Sequence, residues 1–130
     1  MQLGFRGLKV YQPAFKPAME IFRVSKGFPR EETYSLTDQI RRSSRGVCTN
    51  LGEAYRKRQD PKMFSSKVAD ADGEGTETQV WLDFACACEY ITQKVLIECL
   101  AGYEELGGML GGMIANPEAF RLHAIRRRKS

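Results

Sequence analysis

Apolar residues return every three or four positions through four successive stretches of this chain, and only short links separate the stretches. That period is the amphipathic helix, whose apolar stripe must be covered by neighbouring helices. The first stretch runs from about Leu8 to Lys26, with Leu8, Tyr11, Phe15, Ala18, Met19 and Phe22 in its stripe. Pro13 suits a first turn, whereas Pro17 is expected to kink the helix or force a later start. Gly27-Phe28-Pro29 ends it, glycine at the C-terminus and proline just beyond.

The second stretch runs from about Ser35, a candidate N-cap, to Arg58. Its apolar seam is Leu36, Ile40, Ser43 or Ser44, Val47, Leu51 and Ala54. A polar stripe of the same period, Gln39, Arg42, Gly46, Asn50 and Glu53, either faces water or meets a second neighbour. The third stretch opens with Asp60 as N-cap and Pro61 at the first helical position. It continues through Met63, Phe64, Val68, Ala71, Thr78, Trp81, Leu82, Ala85, Cys88 and Ile91. Gly73 and Gly75 weaken a helix interior by about 1 kcal/mol each, so a close contact is expected there. The fourth stretch follows Thr92 and reaches Ile114 before Asn116-Pro117 stops it. Gly107, Gly108, Gly111 and Gly112 imply a close backbone approach or frayed last turns.

Links this short between helices this long make neighbours antiparallel. The expected fold is all-α, an antiparallel up-down-up-down four-helix bundle over residues 1–117, with a basic C-terminal tail over 118–130. At 130 residues the chain is one domain that buries roughly two-thirds of its unfolded surface. No apolar run approaches the roughly 18 residues of a membrane span. Met1 to Val10 lacks the apolar core of a secretory signal. The expected location is the cytoplasm, with no membrane partner.

Catalytic chemistry finds no anchor. His123 is the single histidine, and no phosphate loop, zinc spacing or nucleophile elbow occurs. Cys48, Cys86, Cys88 and Cys99 form no C-x-x-C pair and are expected to pack as reduced thiols. Glu74 and Glu77 lie three apart and are better read as partners for arginines than as a catalytic pair. The chain is expected not to be an enzyme and to need no cofactor or metal.

Charge is sorted along the chain. From Arg41 to Lys67 there are eight basic and two acidic residues; from Val68 to Gln93 there are six acidic and no basic ones. After Glu118 come Arg121, Arg126, Arg127, Arg128 and Lys129, without which the remainder has 15 basic and 16 acidic residues. Arg41, Arg42 and Arg45 form one cationic cluster; Arg56, Lys57, Arg58 and Lys62 form a second at the junction of two helices. Such clusters attract phosphate backbones without reading sequence. Only Tyr55 and Phe64 are aromatic among them, so base stacking is not indicated. Alternatively the positive block docks on the acidic third helix of another copy, a heterologous contact of the kind that closes into rings.

Phe28-Pro29-Arg30-Glu31-Glu32-Thr33-Tyr34-Ser35-Leu36-Thr37-Asp38-Gln39-Ile40-Arg41-Arg42-Ser43-Ser44, followed by Asn50-Leu51-Gly52-Glu53-Ala54, resembles the four helix bundle protein family. That family includes the 23S rRNA intervening-sequence proteins and the accessory variability determinant (Avd) of diversity-generating retroelements. Phe5-Arg6-Gly7-Leu8-Lys9-Val10-Tyr11-Gln12 is similar to its N-terminal signature. Glu77, Trp81-Leu82-Asp83-Phe84-Ala85 and Tyr103-Glu104-Glu105-Leu106-Gly107 resemble its third and fourth helices. Ala54 replaces a glycine of the family, and Glu74-Gly75 stands where many relatives carry a small polar and an aliphatic residue. The resemblance implies a non-catalytic bundle that assembles as a ring, typically a homopentamer, with a basic surface for RNA or DNA and, in one branch, a reverse transcriptase as partner. On this reading Arg41, Arg42, Arg45, Arg56, Lys57, Arg58 and Lys62 bind nucleic acid. Gln39, Asn50, Glu53, Glu74 and Glu77 order helix or subunit contacts. The alternative is an assembly module whose charges are consumed between subunits.

Overall fold

A computed structural model describes residues 3–121 as an antiparallel up-down-up-down bundle of four helices: α1 (Tyr11–Ser25), α2 (Leu36–Arg56), α3 (Pro61–Ala87) and α4 (Gln93–Ala115). Single 3-10 turns occur at Gly4–Gly7, Arg30–Glu32 and Pro117–Phe120. The core is a column of fully buried side chains, among them Ile21, Ile40, Val47, Leu51, Phe64, Val68, Leu82, Leu106 and Leu110. Pairing across the helices sets the register. Ser43 and Thr78 share a buried hydrogen bond of 2.8 Å between α2 and α3. Ser65 donates to the Ile114 carbonyl at 3.1 Å between α3 and α4. A Cβ on Gly75 would stand 3.7 Å from Tyr103 and 3.9 Å from Val47, so three helices meet at that glycine.

Several expectations are corrected. α1 begins at Tyr11, not Leu8, which places Pro13 in its first turn, and Pro17 is accommodated inside the helix. Its buried face is Ala14, Ala18, Ile21 and Ser25, while Phe15 and Met19 are 41% and 47% exposed. The reason is that α1 packs chiefly on α2. A groove of about 690 Å³ opens between α1 and α4, and Phe15 and Met19 line it. α2 ends at Arg56 and α3 at Ala87, so Cys88 and Ile91 belong to the link before α4. Gly73, Gly108, Gly111 and Gly112 border open space, and α4 runs through its glycines to Ala115. Of the tail residues, His123 and Arg126 to Lys129 lie outside the described residues.

Capping follows expectation at α3 and α4 and departs from it at α2. Asp60 accepts from the backbone N–H of Lys62 and Met63 as a proper N-cap, and Thr92 accepts from Val95. Ser35 makes no such bond. Its hydroxyl instead donates to Glu32 Oε1 at 2.6 Å, and the Leu36 N–H reaches the same oxygen at 3.4 Å. The Tyr90 hydroxyl donates to Glu32 Oε2 at 2.9 Å, and the Tyr90 ring packs on Phe28 with centroids 5.5 Å apart. One carboxylate therefore joins the α1–α2 and α3–α4 links at a common end of the bundle.

The Ser35 hydroxyl first, then that of Tyr90, holds the Glu32 carboxyl below its ordinary 4.5. The hydrogen bond to Glu32, with lost water and then the carboxylate's charge adding to it, pushes the Tyr90 phenol up to about 12. A depressed carboxylate contributes stability that is present above its unfolded value and is lost as pH falls through the lower folded value. Glu32→Gln should therefore destabilise the bundle at neutral pH and leave it nearly matched to the parent in strong acid. Urea midpoints measured from pH 7 downward check this; a gap that stays constant with pH would refute it.

Candidate nucleic-acid interface

The helical period divides the cations of α2 between two faces. Arg41 and Arg45 point toward α1. Arg41 Nε donates to Ser25 Oγ at 2.7 Å, and its guanidinium lies 5.0 Å from the centre of the Phe22 ring. Arg45 and Lys26 approach the same ring at 5.5 and 4.7 Å. Phe22 is thus the apolar base of a three-cation cluster, its ring face attracting the positive groups. Arg42, one residue on, faces the other way and pairs with Asp38 of its own helix at 3.8 Å.

The second cluster closes the opposite end. Arg58 folds back on α2, donating to the Tyr55 carbonyl at 2.9 Å with its guanidinium 4.0 Å from the Tyr55 ring centre. Arg56, Lys57 and Lys62 are exposed around it. Among the described residues, no carboxylate lies within 4.0 Å of the charged side-chain groups of Arg41, Arg45, Arg56, Lys57, Arg58 or Lys62. Arg45 and Arg56 are eleven positions apart in one helix, roughly 17 Å along its axis.

The polar stripe of α2 lies along α3. Glu53 pairs with Lys67 at 2.8 Å across the two helices, which holds the lysine above its ordinary value. A Cβ on Gly46 would sit 2.9 Å from the Glu74 carboxyl, so the missing side chain is what admits Glu74 to the seam. Lost water raises the Glu74 carboxyl above 4.5, and the neighbouring Glu77 and Asp70 raise it further. Asn50 turns back to the Gly46 carbonyl of its own helix at 2.9 Å. Gln39 and Glu77 are exposed; Gln39 borders a hollow with Trp81 and Phe84.

Sequence spacing gave no sign of the aromatic residues that accompany the second cluster. Phe64 is fully buried and belongs to the core. Phe5 and Tyr11, some fifty positions away in sequence, instead reach Tyr55 and Arg56 and line one groove with them. The N-terminal 3-10 turn brings Phe5 there, and the start of α1 brings Tyr11, each by packing on α2. Among the described residues no group of three or more His, Cys, Asp or Glu is placed to hold a metal ion, and no helix is long and apolar enough to cross a membrane.

A family described as 23S rRNA-intervening sequence protein matches residues 6–112. The chain belongs to that family. As a 23S rRNA-intervening sequence family member it is also similar to a solved structure, a protein of unknown function from the S23 ribosomal protein family of Bacteroides thetaiotaomicron VPI-5482. The two share 26% identity and superpose with a TM-score of 0.73 over 82% of this chain and 95% of the other. No curated protein matches the chain by sequence. The family match covers α1, α2, α3 and α4 as far as Gly112, and includes both cationic clusters.

Proposed function

We propose that this family member is a non-catalytic, cytoplasmic, self-assembling bundle that binds RNA or DNA through its basic surface. The observation that carries the reading is the set of α2 and α2–α3 cations that meet no carboxylate among the described residues, while the acids of α3 gather on a different seam. Charges left unneutralised at a surface favour a polyanion, whose condensed counterions are released on contact. An rRNA segment and the nucleic acid of a reverse transcriptase carry the same phosphates, so both partners fit this surface equally.

Self-association is supported separately. Tyr34, Val80 and Phe84 are 93%, 45% and 55% exposed, and Trp81 Nε1 beside them is buried with no hydrogen-bond partner among the described residues. Asp70, Glu74 and Glu77 follow one another at helical spacing, and a cation from a second copy would lower the cost of crowding them. A ring assembly would use such a heterologous contact.

The test is a salt titration. Labelled RNA and DNA should bind the full chain, with log affinity falling linearly as log salt rises. Absence of binding even at low salt would overturn the proposal and leave a protein-only assembly module. Mass by light scattering tests the self-assembly part, and a monomer would remove it.

A further inference from the structure

We propose that the groove between the N-terminal 3-10 turn and α2 is a pocket for unpaired bases, so that this surface prefers single-stranded nucleic acid to a duplex. The inference rests on the nucleic-acid reading above and narrows it. The groove has a volume of about 650 Å³, and Phe5, Arg6, Tyr11, Tyr55 and Arg56 are among the residues that line it. Phe5 meets Tyr11 edge-on with centroids 5.3 Å apart, and the Arg6 guanidinium lies 4.4 Å from the centre of the Phe5 ring. Arg58 covers the Tyr55 ring in the same way. Arginine planes laid on aromatic rings are surfaces on which a base stacks without its identity being read.

Position in the fold supports the same occupant. Arg41, Arg45, Gly52 and Arg56 recur at helical spacing on α2, with Cys48 and Thr49 between them. A strand lying along α2 can place phosphates on Arg45 and Arg56 while the intervening bases turn into the groove. Burial pushes the Cys48 thiol up to about 11, so it remains protonated and lines the groove as an apolar group. Glu53 also borders the groove, and its carboxylate is engaged by Lys67 at 2.8 Å. A duplex keeps its bases stacked inside and could use only the outer cations.

The experiment compares a labelled oligouridylate of about ten nucleotides, within the usual single-strand site range, with an RNA duplex of equal length. The full chain should bind the oligouridylate more tightly. Phe5→Leu and Tyr55→Leu, which keep apolar bulk, should each weaken that binding about tenfold, with the salt slope and the duplex affinity unchanged. Thermal unfolding confirms that the variants fold, and the comparison on the parent protein needs no variant. Equal affinity for strand and duplex, or leucine variants that bind as the parent does, would overturn the inference while the nucleic-acid reading stands. Binding of neither probe at low salt would overturn both.

Discussion

Replacing Arg56, Lys57 and Lys62 together by alanine should flatten the salt dependence of nucleic-acid binding by roughly two to three units of log–log slope. Each phosphate neutralised by a cation contributes about 0.7 to 0.9 units, for single strands and duplexes respectively. Over a fourfold rise in salt, the fold-loss of affinity should therefore shrink by roughly 20- to 40-fold relative to the parent. All three side chains are exposed, and none pairs with a carboxylate among the described residues. Their removal should leave the unfolding temperature nearly unchanged. Arg58 is left in place because it closes the last turn of α2 by its bond to the Tyr55 carbonyl. A parent-like slope in the triple variant would mean that these cations touch no phosphate.

Arg41 and Arg45 have a different standing. They share the Phe22 ring with Lys26, and Arg41 also donates to Ser25. Their removal would disturb the α1–α2 contact, so loss of binding there would mix folding with recognition. The second cluster is the cleaner place to measure electrostatics for that reason.

The bundle was legible because its evidence is local. Asp60-Pro61 and Asn116-Pro117 mark α3's start and α4's end by backbone chemistry that needs no tertiary partner. The face of α1 was not legible, since Phe15 and Ala14 both satisfy a helical period and only the distance to α4 decides between them. Ser35 was read as a cap because its type suits one, whereas Glu32 takes that place from a turn that periodicity does not mark. The cationic clusters could be read as neighbours along one helix, and Arg42 shows the limit: a shift of one residue moves a side chain about 100° around the helix. The aromatic side of the groove depends on Phe5 folding back across α2, a contact that no spacing within α2 reports. Likewise Gly46 looked like a member of a polar stripe, and its role became visible only against Glu74.

The largest loss of stability is expected from Phe64→Ala, about 3 to 5 kcal/mol. Phe64 has no exposed surface, and its ring stacks on Phe120 with centroids 5.1 Å apart and planes 25° from parallel. Truncation removes core contacts and also the seat of the last described turn, Pro117–Phe120. Phe120 is only partly buried, so Phe120→Ala should cost less, roughly 1 to 2 kcal/mol. The two losses should not add. With Phe64 gone, Phe120 has no ring left to stack on, and the double variant should fall short of the sum by about 0.5 to 1.5 kcal/mol. Urea denaturation of the parent, both single variants and the double variant measures this directly. Additivity within roughly 0.5 kcal/mol would show that the stack does not anchor the turn. The stack closes the same end of the bundle that carries Arg56, Lys57 and Lys62, but it contributes no charge. Phe64→Ala should accordingly retain the parent's salt slope wherever it remains folded, which separates loss of the scaffold from loss of the surface it carries.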